Sequence, residues 1–139
     1  MEKWVELLTP DRTLCLALKA AGMPQESYFK WFLRFKNSEE WEFGHSPIVE
    51  TWTGGDLSLV IAAPTSAELG EMLPVYIDDA AFETQQFFQA TKWINRDWIC
   101  GYGTHVTSCH FEEDAKEANA RARLLIWAAK QGHVFKETK

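Results

Sequence analysis

Apolar and polar positions alternate in the first third of the chain, and this alternation predicts a strand. Between residues 28 and 35 every second position from Phe29 onward is apolar, whereas Lys30 and Arg34 lie at positions between them. The apolar positions are Phe29, Trp31, Leu33 and Phe35. Because successive side chains on a strand point to opposite faces, we expect a half-buried strand whose aromatic face packs on the core.

Other segments predict further strands. Residues 41–43, 82–93, 98–102 and 105–111 have the aromatic and β-branched composition that strands favour. Residues 48–53 and 57–62 are two more runs of this type. The segment Gly54-Gly55-Asp56 joins them and suits the tight turn of a hairpin. We therefore expect residues 48–62 to form a β-hairpin.

Three helices are predicted from their end signals. Thr9 and Pro10 suit the start of the first helix, and Gly22 its end. The segment Thr65-Ser66-Ala67-Glu68 is a capping box that opens a short second helix. An apolar face that repeats at helical spacing predicts a third helix from about residue 114 to residue 131.

The order of these elements predicts an α+β fold. Helix, strands, short helix, strands and helix follow one another, and no Pro-, Gly- or Ser-rich linker divides the chain. An antiparallel β-sheet of hairpins, with about three helices packed on it in a single layer, buries one face of each element. We expect residues 1–139 to form a single α+β domain.

Composition narrows the class of protein. The 139 residues carry a formal net charge of −6, which argues against direct nucleic-acid binding because phosphate contacts need Lys and Arg. The three cysteines, Cys15, Cys100 and Cys109, form no CxxC pair, so reduced thiols are expected. The sequence has no signal peptide and no apolar run long enough to cross a membrane. We therefore predict a cytoplasmic protein.

The residues with catalytic potential form no recognisable site. Cys100, His105, Cys109 and His110 are possible metal ligands, but residues four apart on a strand are about 13 Å apart, too far to share one ion. His105 and Thr107 would share one strand face, which suggests an alternative function as a small hydrolase or nucleotide-handling protein. No second copy of that pair and no known nucleophile motif occurs. We predict no catalytic residues, no metal and no cofactor, which favours a protein that is not an enzyme.

Aromatic residues are the most distinctive feature of the sequence. They make up 14% of the chain, including seven Trp, and a domain of this size does not hide all of them easily. The predicted binding residues are Trp93, Arg96, Trp98, Tyr102 and His105, at or near one turn. An exposed aromatic patch rimmed by acids is typical of a protein-binding surface. The alternative is that these rings pack against each other across a hairpin.

Three segments in this order resemble a diffuse group of small, functionally uncharacterised proteins encoded by bacteriophages and prophages. They are Leu18–Gln25 (LKAAGMPQ), Ala63–Leu69 (APTSAEL) and Ala122–Trp127 (ARLLIW). The resemblance implies an accessory protein in a bacterial cytoplasm and assigns no activity. Together with the acidic charge and the surplus of aromatics, it suggests a non-enzymatic protein-binding module whose partner is a host protein.

Overall fold

Every strand pair that the structure describes is antiparallel. The computed structural model describes residues 6–74, 76–79, 84–92, 97–103 and 108–132. The strands are β1 (Phe29–Phe32), β2 (Glu42–His45), β3 (Val60–Ala63), β4 (Tyr76–Asp79), β5 (Thr84–Lys92), β6 (Trp98–Gly103) and β7 (Ser108–Asp114). The helices are α1 (Arg12–Ala20), α2 (Ser46–Thr53), α3 (Ser66–Met72) and α4 (Glu117–Lys130). The strands form a three-stranded sheet, β2-β1-β3, and a four-stranded sheet, β4-β5-β6-β7.

The largest core lies where α4 packs against the four-stranded sheet. α4 contacts β6 and β7 as well as α1 and α3. Tyr102 on β6 is fully buried there, and its hydroxyl donates a hydrogen bond to the Pro74 carbonyl oxygen at 2.7 Å. The same core includes Leu18 of α1 and Ala62 of β3, so it draws side chains from both sheets. The predicted α+β class is confirmed.

The predicted β-hairpin over residues 48–62 is wrong, because its first half is the helix α2. Pro47 lies in the first turn of α2, where its missing N–H group costs no hydrogen bond. Gly54 ends the helix in the left-handed conformation, with φ of 62°. Val49 is buried with Phe32 of β1, and this contact outside the segment stabilises the helix.

The free edge of β3 is covered by polar side chains from α1 and the segment that follows it. Lys19 Nζ donates to the Val60 carbonyl oxygen at 2.7 Å. Gln25 Oε1 accepts from the Ala62 amide at 2.8 Å. These bonds satisfy backbone groups that an edge strand otherwise leaves open to pairing with another chain.

The two later helices begin with different capping arrangements. The capping box at Thr65 and Glu68 is present as the sequence predicts, with both hydrogen bonds formed. The last helix begins at Glu117, not at residue 114, because Asp114 ends β7. Asp114 instead accepts from the Lys116 amide at 2.9 Å. No helix within the described residues has the length and apolar character needed to span a membrane.

Candidate interaction surface

A row of aromatic side chains covers β1 and β2 on one face of the three-stranded sheet. In the register of these strands Phe29 lies opposite His45, and Trp31 lies opposite Phe43. Residues two apart on a strand and residues directly opposite each other share a face, so all four side chains lie on the same side. Tyr28, just before β1, adds its ring to the row through contacts with Phe29 and His45. We call these five residues the aromatic platform.

The rings of the aromatic platform form one continuous series. The ring centroids of Trp31 and Phe43 are 5.2 Å apart, and those of Phe43 and Phe29 are 5.5 Å apart. Tyr28 meets Phe29 edge-to-face at 4.9 Å and stacks on His45 at 6.0 Å. These separations lie in the range of about 4.5–7 Å that aromatic pairs favour. The series is therefore held in place before any partner arrives.

The aromatic platform is partly exposed to solvent and packs at one side against a buried cluster. Tyr28 is 56% exposed, and the other four residues are half-buried. Beside them on the same face, Cys15 of α1 packs with Ile61 and Ala63 of β3, and all three are buried. α1 packs along β3, so within the described residues it leaves the rings over β1 and β2 partly uncovered. A contiguous aromatic surface that stays partly exposed is a candidate interaction site.

Two polar atoms of the aromatic platform lack hydrogen-bond partners within the described part of the chain. They are Trp31 Nε1 and His45 Nδ1, and both atoms are buried. A buried donor or acceptor that stays unsatisfied costs about 1–3 kcal/mol, and a buried Trp N–H usually has a partner. The guanidinium of Arg12 lies 5.9 Å from the Trp31 ring centroid, so one face of this ring already contacts a cation.

Exposed carboxylates lie next to the aromatic platform along the chain. Glu26 precedes Tyr28 by two residues, and Glu39 and Glu40 lie just before β2; all three are exposed. The Asp11 carboxylate, beside Arg12, is 64% exposed. Burial would raise the pKa of Asp11, but hydrogen bonds from Lys116 and Asn119 and the charge of Lys116 hold it below 3.8. Exposed basic side chains, among them Arg12, Arg34 and Lys36, lie in the same segments, so charges of both signs lie near the aromatic platform along the chain.

Of the five predicted binding residues, the structure describes Tyr102 and Trp98. Tyr102 lies in the core, so it contributes no surface. Trp98 is half-buried on β6, and the ammonium group of Lys92 lies 5.9 Å from its ring centroid. Trp93, Arg96 and His105 lie outside the described residues. Their assignment as binding residues stays a prediction.

Trp98 lines a groove among the described residues. The groove has a volume of about 670 Å³ and lies where α3 and α4 begin, with Leu7 and Leu8 at its wall. Its two cations are paired: Lys116 Nζ lies 3.0 Å from an Asp11 carboxylate oxygen, and Arg121 Nη2 lies 3.5 Å from a Glu117 carboxylate oxygen. The groove therefore offers an apolar surface and not a site for an anion.

Among the described residues, the thiols of Cys15 and Cys100 are buried and His110 is committed to structural contacts. Burial raises the pKa of the Cys15 thiol to about 12 and that of Cys100 to about 11. The His110 ring stacks on Trp127 with centroids 4.3 Å apart, and its Nε2 contacts a Glu112 carboxylate oxygen. The described residues hold no group of three or more His, Cys, Asp and Glu placed to bind a metal ion. His105, Thr107 and the side chain of Cys109 lie outside them, so the alternative hydrolase function stays a prediction.

The aromatic platform is the feature that the sequence interpretation missed. The alternation from Phe29 onward predicted that its face would pack on the core; Phe29 and Trp31 do pack against a buried cluster, and part of their surface stays exposed. The signal lay in Phe32, an aromatic residue on the face of Lys30 and 2% exposed in the structure. Phe32 packs with Val49 of α2, so the face that also carries a lysine is the better buried one. The break in the alternation at Phe32 therefore indicated two apolar faces, one of which is only partly covered.

Comparisons with known proteins give no match. No family model matches the sequence, and neither the search of curated proteins nor that of solved structures finds a significant match. The contacts of the chain's own residues carry the functional inference.

Proposed function

We propose that this protein is a non-enzymatic binding module that engages a partner protein through the aromatic platform. The observation that carries the proposal is the continuous series of five rings, held by mutual contacts and partly exposed to solvent. Trp, Tyr and Arg dominate the binding energy of protein interfaces, and the platform presents Trp31 and Tyr28 beside Arg12. The rings keep few rotatable bonds, so their immobilisation on binding costs little entropy.

The resemblance to small phage and prophage proteins supports a host protein as the partner, in the bacterial cytoplasm. An accessory protein of this kind acts by covering a surface that the host protein needs for its other interactions. Such a role requires a binding surface and no catalytic group. This agrees with the buried or structurally engaged thiols and histidine of the described residues.

Capture from bacterial lysate with matched variants tests the proposal. The full-length chain is immobilised, and bound proteins are compared among the wild type, Tyr28→Ala and Trp52→Ala. Trp52 is the control because it is 47% exposed, close to the 56% of Tyr28, but lies on α2 with Arg34 over its ring. We expect a partner that the wild type and Trp52→Ala retain and Tyr28→Ala loses, with unchanged thermal unfolding in all three.

Two outcomes contradict this function. Equal capture by Tyr28→Ala and the wild type would show that the aromatic platform is not the binding surface. Equal loss of the captured protein in Tyr28→Ala and Trp52→Ala would show that non-specific binding to exposed aromatic rings explains the capture.

A further inference from the structure

We propose that the aromatic platform receives an extended, basic segment of the partner, which adds as a new strand to the free edge of β2. This inference rests on the proposed function, and it specifies both the chemistry of the partner segment and its mode of docking. Three observations support the inference: which backbone groups of the three-stranded sheet point outward, which rings lie beside them, and the charge of the chain.

The outward backbone groups follow from the hydrogen bonds at the opposite edge. On β3, Val60 and Ala62 use backbone groups to bind Lys19 and Gln25, so these groups point away from β1. Groups of alternate residues on an antiparallel strand point to opposite sides. The β1 residues whose backbone groups point toward β3 are therefore Phe29 and Trp31. The Leu33 amide continues this pattern, because it donates to the Leu59 carbonyl oxygen at 2.9 Å.

The remaining residues of β1 pair with β2. The Tyr28 carbonyl oxygen accepts from the Ser46 amide at 2.7 Å, which places Tyr28, Lys30 and Phe32 on the side of β2. Their partners Gly44 and Glu42 then point inward. The N–H and C=O groups of Phe43 and His45 point outward, away from the sheet.

This outer edge has no partner among the residues that the structure describes. None of their hydrogen bonds reaches the outward groups of Phe43 and His45. Polar side chains cover the corresponding edge of β3, so among the described residues one edge of this sheet is covered and the other is open. An open strand edge is a template for an incoming extended segment, which gains backbone hydrogen bonds there.

The same two residues link the open edge to the aromatic platform. Phe43 and His45 present their rings on the platform face while their backbone groups face outward. A segment paired with β2 therefore places alternate side chains next to these rings. Arg12 over Trp31 is an example within the chain of a guanidinium held by a ring of this surface.

Charge selects a basic segment over an acidic one. Exposed charges of both signs lie near the platform along the chain, so the selection comes from the charge of the whole chain. The whole chain carries a net charge of −6, so an acidic segment or a second copy of this chain would meet repulsion. Arginine suits the site best because its planar guanidinium stacks on aromatic faces.

Peptide titration of the full-length, ¹⁵N-labelled protein tests the inference. The probes are Ac-Arg-Val-Arg-Val-Arg-Val-Arg-NH₂, the same peptide with Glu in place of Arg, and the Arg peptide N-methylated at every internal residue, so that no backbone donor remains on either edge of the peptide. N-methylation removes backbone donors and keeps the charge. We expect the Arg peptide to shift the amides of Phe43 and His45 and the indole N–H of Trp31 saturably. The Glu and N-methylated peptides should bind at least about tenfold more weakly.

Two variants sharpen the assignment. Tyr28→Ala should weaken binding of the Arg peptide by about fivefold or more, because it removes the most exposed ring of the platform. Trp52→Ala should leave it unchanged. Raising the salt concentration should weaken binding in the wild type, because the net negative charge of the chain contributes long-range attraction.

Each contrary result overturns the inference. Equal binding of the Glu peptide removes the basic specificity, and equal binding of the N-methylated peptide removes strand addition. Amide shifts confined to β7 would show that the peptide binds at a different edge. Self-association through β2, detected by sedimentation, would show that a second copy of the chain occupies that edge. If no peptide binds but lysate capture still depends on Tyr28, the proposed function stands and this inference falls. If no peptide binds and lysate capture does not depend on Tyr28, both the proposed function and this inference are wrong.

Discussion

Asp11 and Asn119, separated by 108 residues in the sequence, hold each other through two hydrogen bonds. The Asp11 amide donates to Asn119 Oδ1 at 2.8 Å, and Asn119 Nδ2 donates to Asp11 Oδ2 at 2.9 Å. Asn119 Nδ2 also lies 3.2 Å from an Asp114 carboxylate oxygen. Asn119 is 4% exposed, so this contact ties the start of α1 to the first turn of α4 inside the protein.

The first prediction concerns this contact. Asn119→Leu should lower the free energy of unfolding by about 2–3 kcal/mol, because it removes the hydrogen bonds of Asn119 to two carboxylates and leaves the Asp11 amide without its acceptor. Urea denaturation monitored by circular dichroism measures the change. Asn37→Leu, at an exposed position, is the control and should change stability by less than about 0.5 kcal/mol. Equal losses in the two variants would refute a specific role for Asn119.

The second prediction follows from the lowered pKa of Asp11. Since the folded state holds the pKa of this carboxyl below 3.8, its contribution to stability is present above that pH and is lost as the pH falls through the folded pKa. The stability difference between the wild type and Asp11→Asn should therefore favour the wild type at pH 7 and shrink as the pH falls below about 4. Denaturation at a series of pH values measures this difference.

The size of this effect is limited by exposure. The Asp11 side chain is 64% exposed, so solvent screens its attraction to Lys116 and the difference should stay below about 1 kcal/mol. Lys116→Met removes the hydrogen bond and charge that lower the pKa most, and it should reduce the pH dependence. A difference that grows as the pH falls would contradict the assigned direction of the pKa shift.

Local signals predicted the elements whose ends are determined by neighbouring residues. The capping box at Thr65 and the strand alternation at Phe29 both correspond to elements of the structure. Residues 48–53 have β-branched positions that favour a strand, yet Pro47 and Gly54 were equally local signals for the start and end of a helix. The contact of Val49 with Phe32 supports the helix, and that contact is not visible in a sequence window.

The candidate surface was harder to predict, because exposure depends on which helix covers which face. The sequence showed that Phe29 and Trp31 share a face, but only the position of α1 along β3 leaves that face partly open. Tyr102 shows the opposite case. Its side chain alternates in direction with those of its neighbours on β6, as in any strand, and the packing of α4 buries it completely. Composition indicated a surplus of aromatic side chains and could not indicate where they would be exposed.

The third prediction concerns the buried thiols. Burial raises the pKa of Cys15 to about 12 and that of Cys100 to about 11, so both stay protonated and covered at pH 8. In a Cys109→Ser background, the folded protein should react with a disulfide reagent only at its unfolding rate. Addition of urea should expose both thiols to rapid reaction.

A positive control comes from an exposed position. Leu57→Cys in the same background introduces one thiol at a residue that is 64% exposed, and this thiol should react at once in the folded protein. Fast reaction of two further thiols without urea would contradict the burial. Above pH 9 the unfolded thiols ionise while the folded ones do not, so stability should fall as the pH rises from 9 towards 11.

The fourth prediction compares two glycines that differ in what surrounds them. A Cβ atom at Gly101 on β6 would collide with the Phe111 ring and with the backbone carbonyl oxygen of His110 on β7. A backbone atom in a paired strand has no room to move, so Gly101→Ala should cost more than about 3 kcal/mol or prevent folding. At Gly70 on α3, the nearest atom to an added Cβ is the terminal Nη1 of Arg121, 2.5 Å away.

The Arg121 side chain can rotate away from a methyl group, and alanine favours a helix over glycine by about 1 kcal/mol. Gly70→Ala should therefore change the free energy of unfolding by less than about 1 kcal/mol in either direction. Thermal and urea unfolding of the two variants provide the comparison, and the ring protons of Phe111 report locally on the β6–β7 contact. Similar stability of both variants would mean that β7 lies farther from β6 at Gly101 than the packing of Phe111 requires.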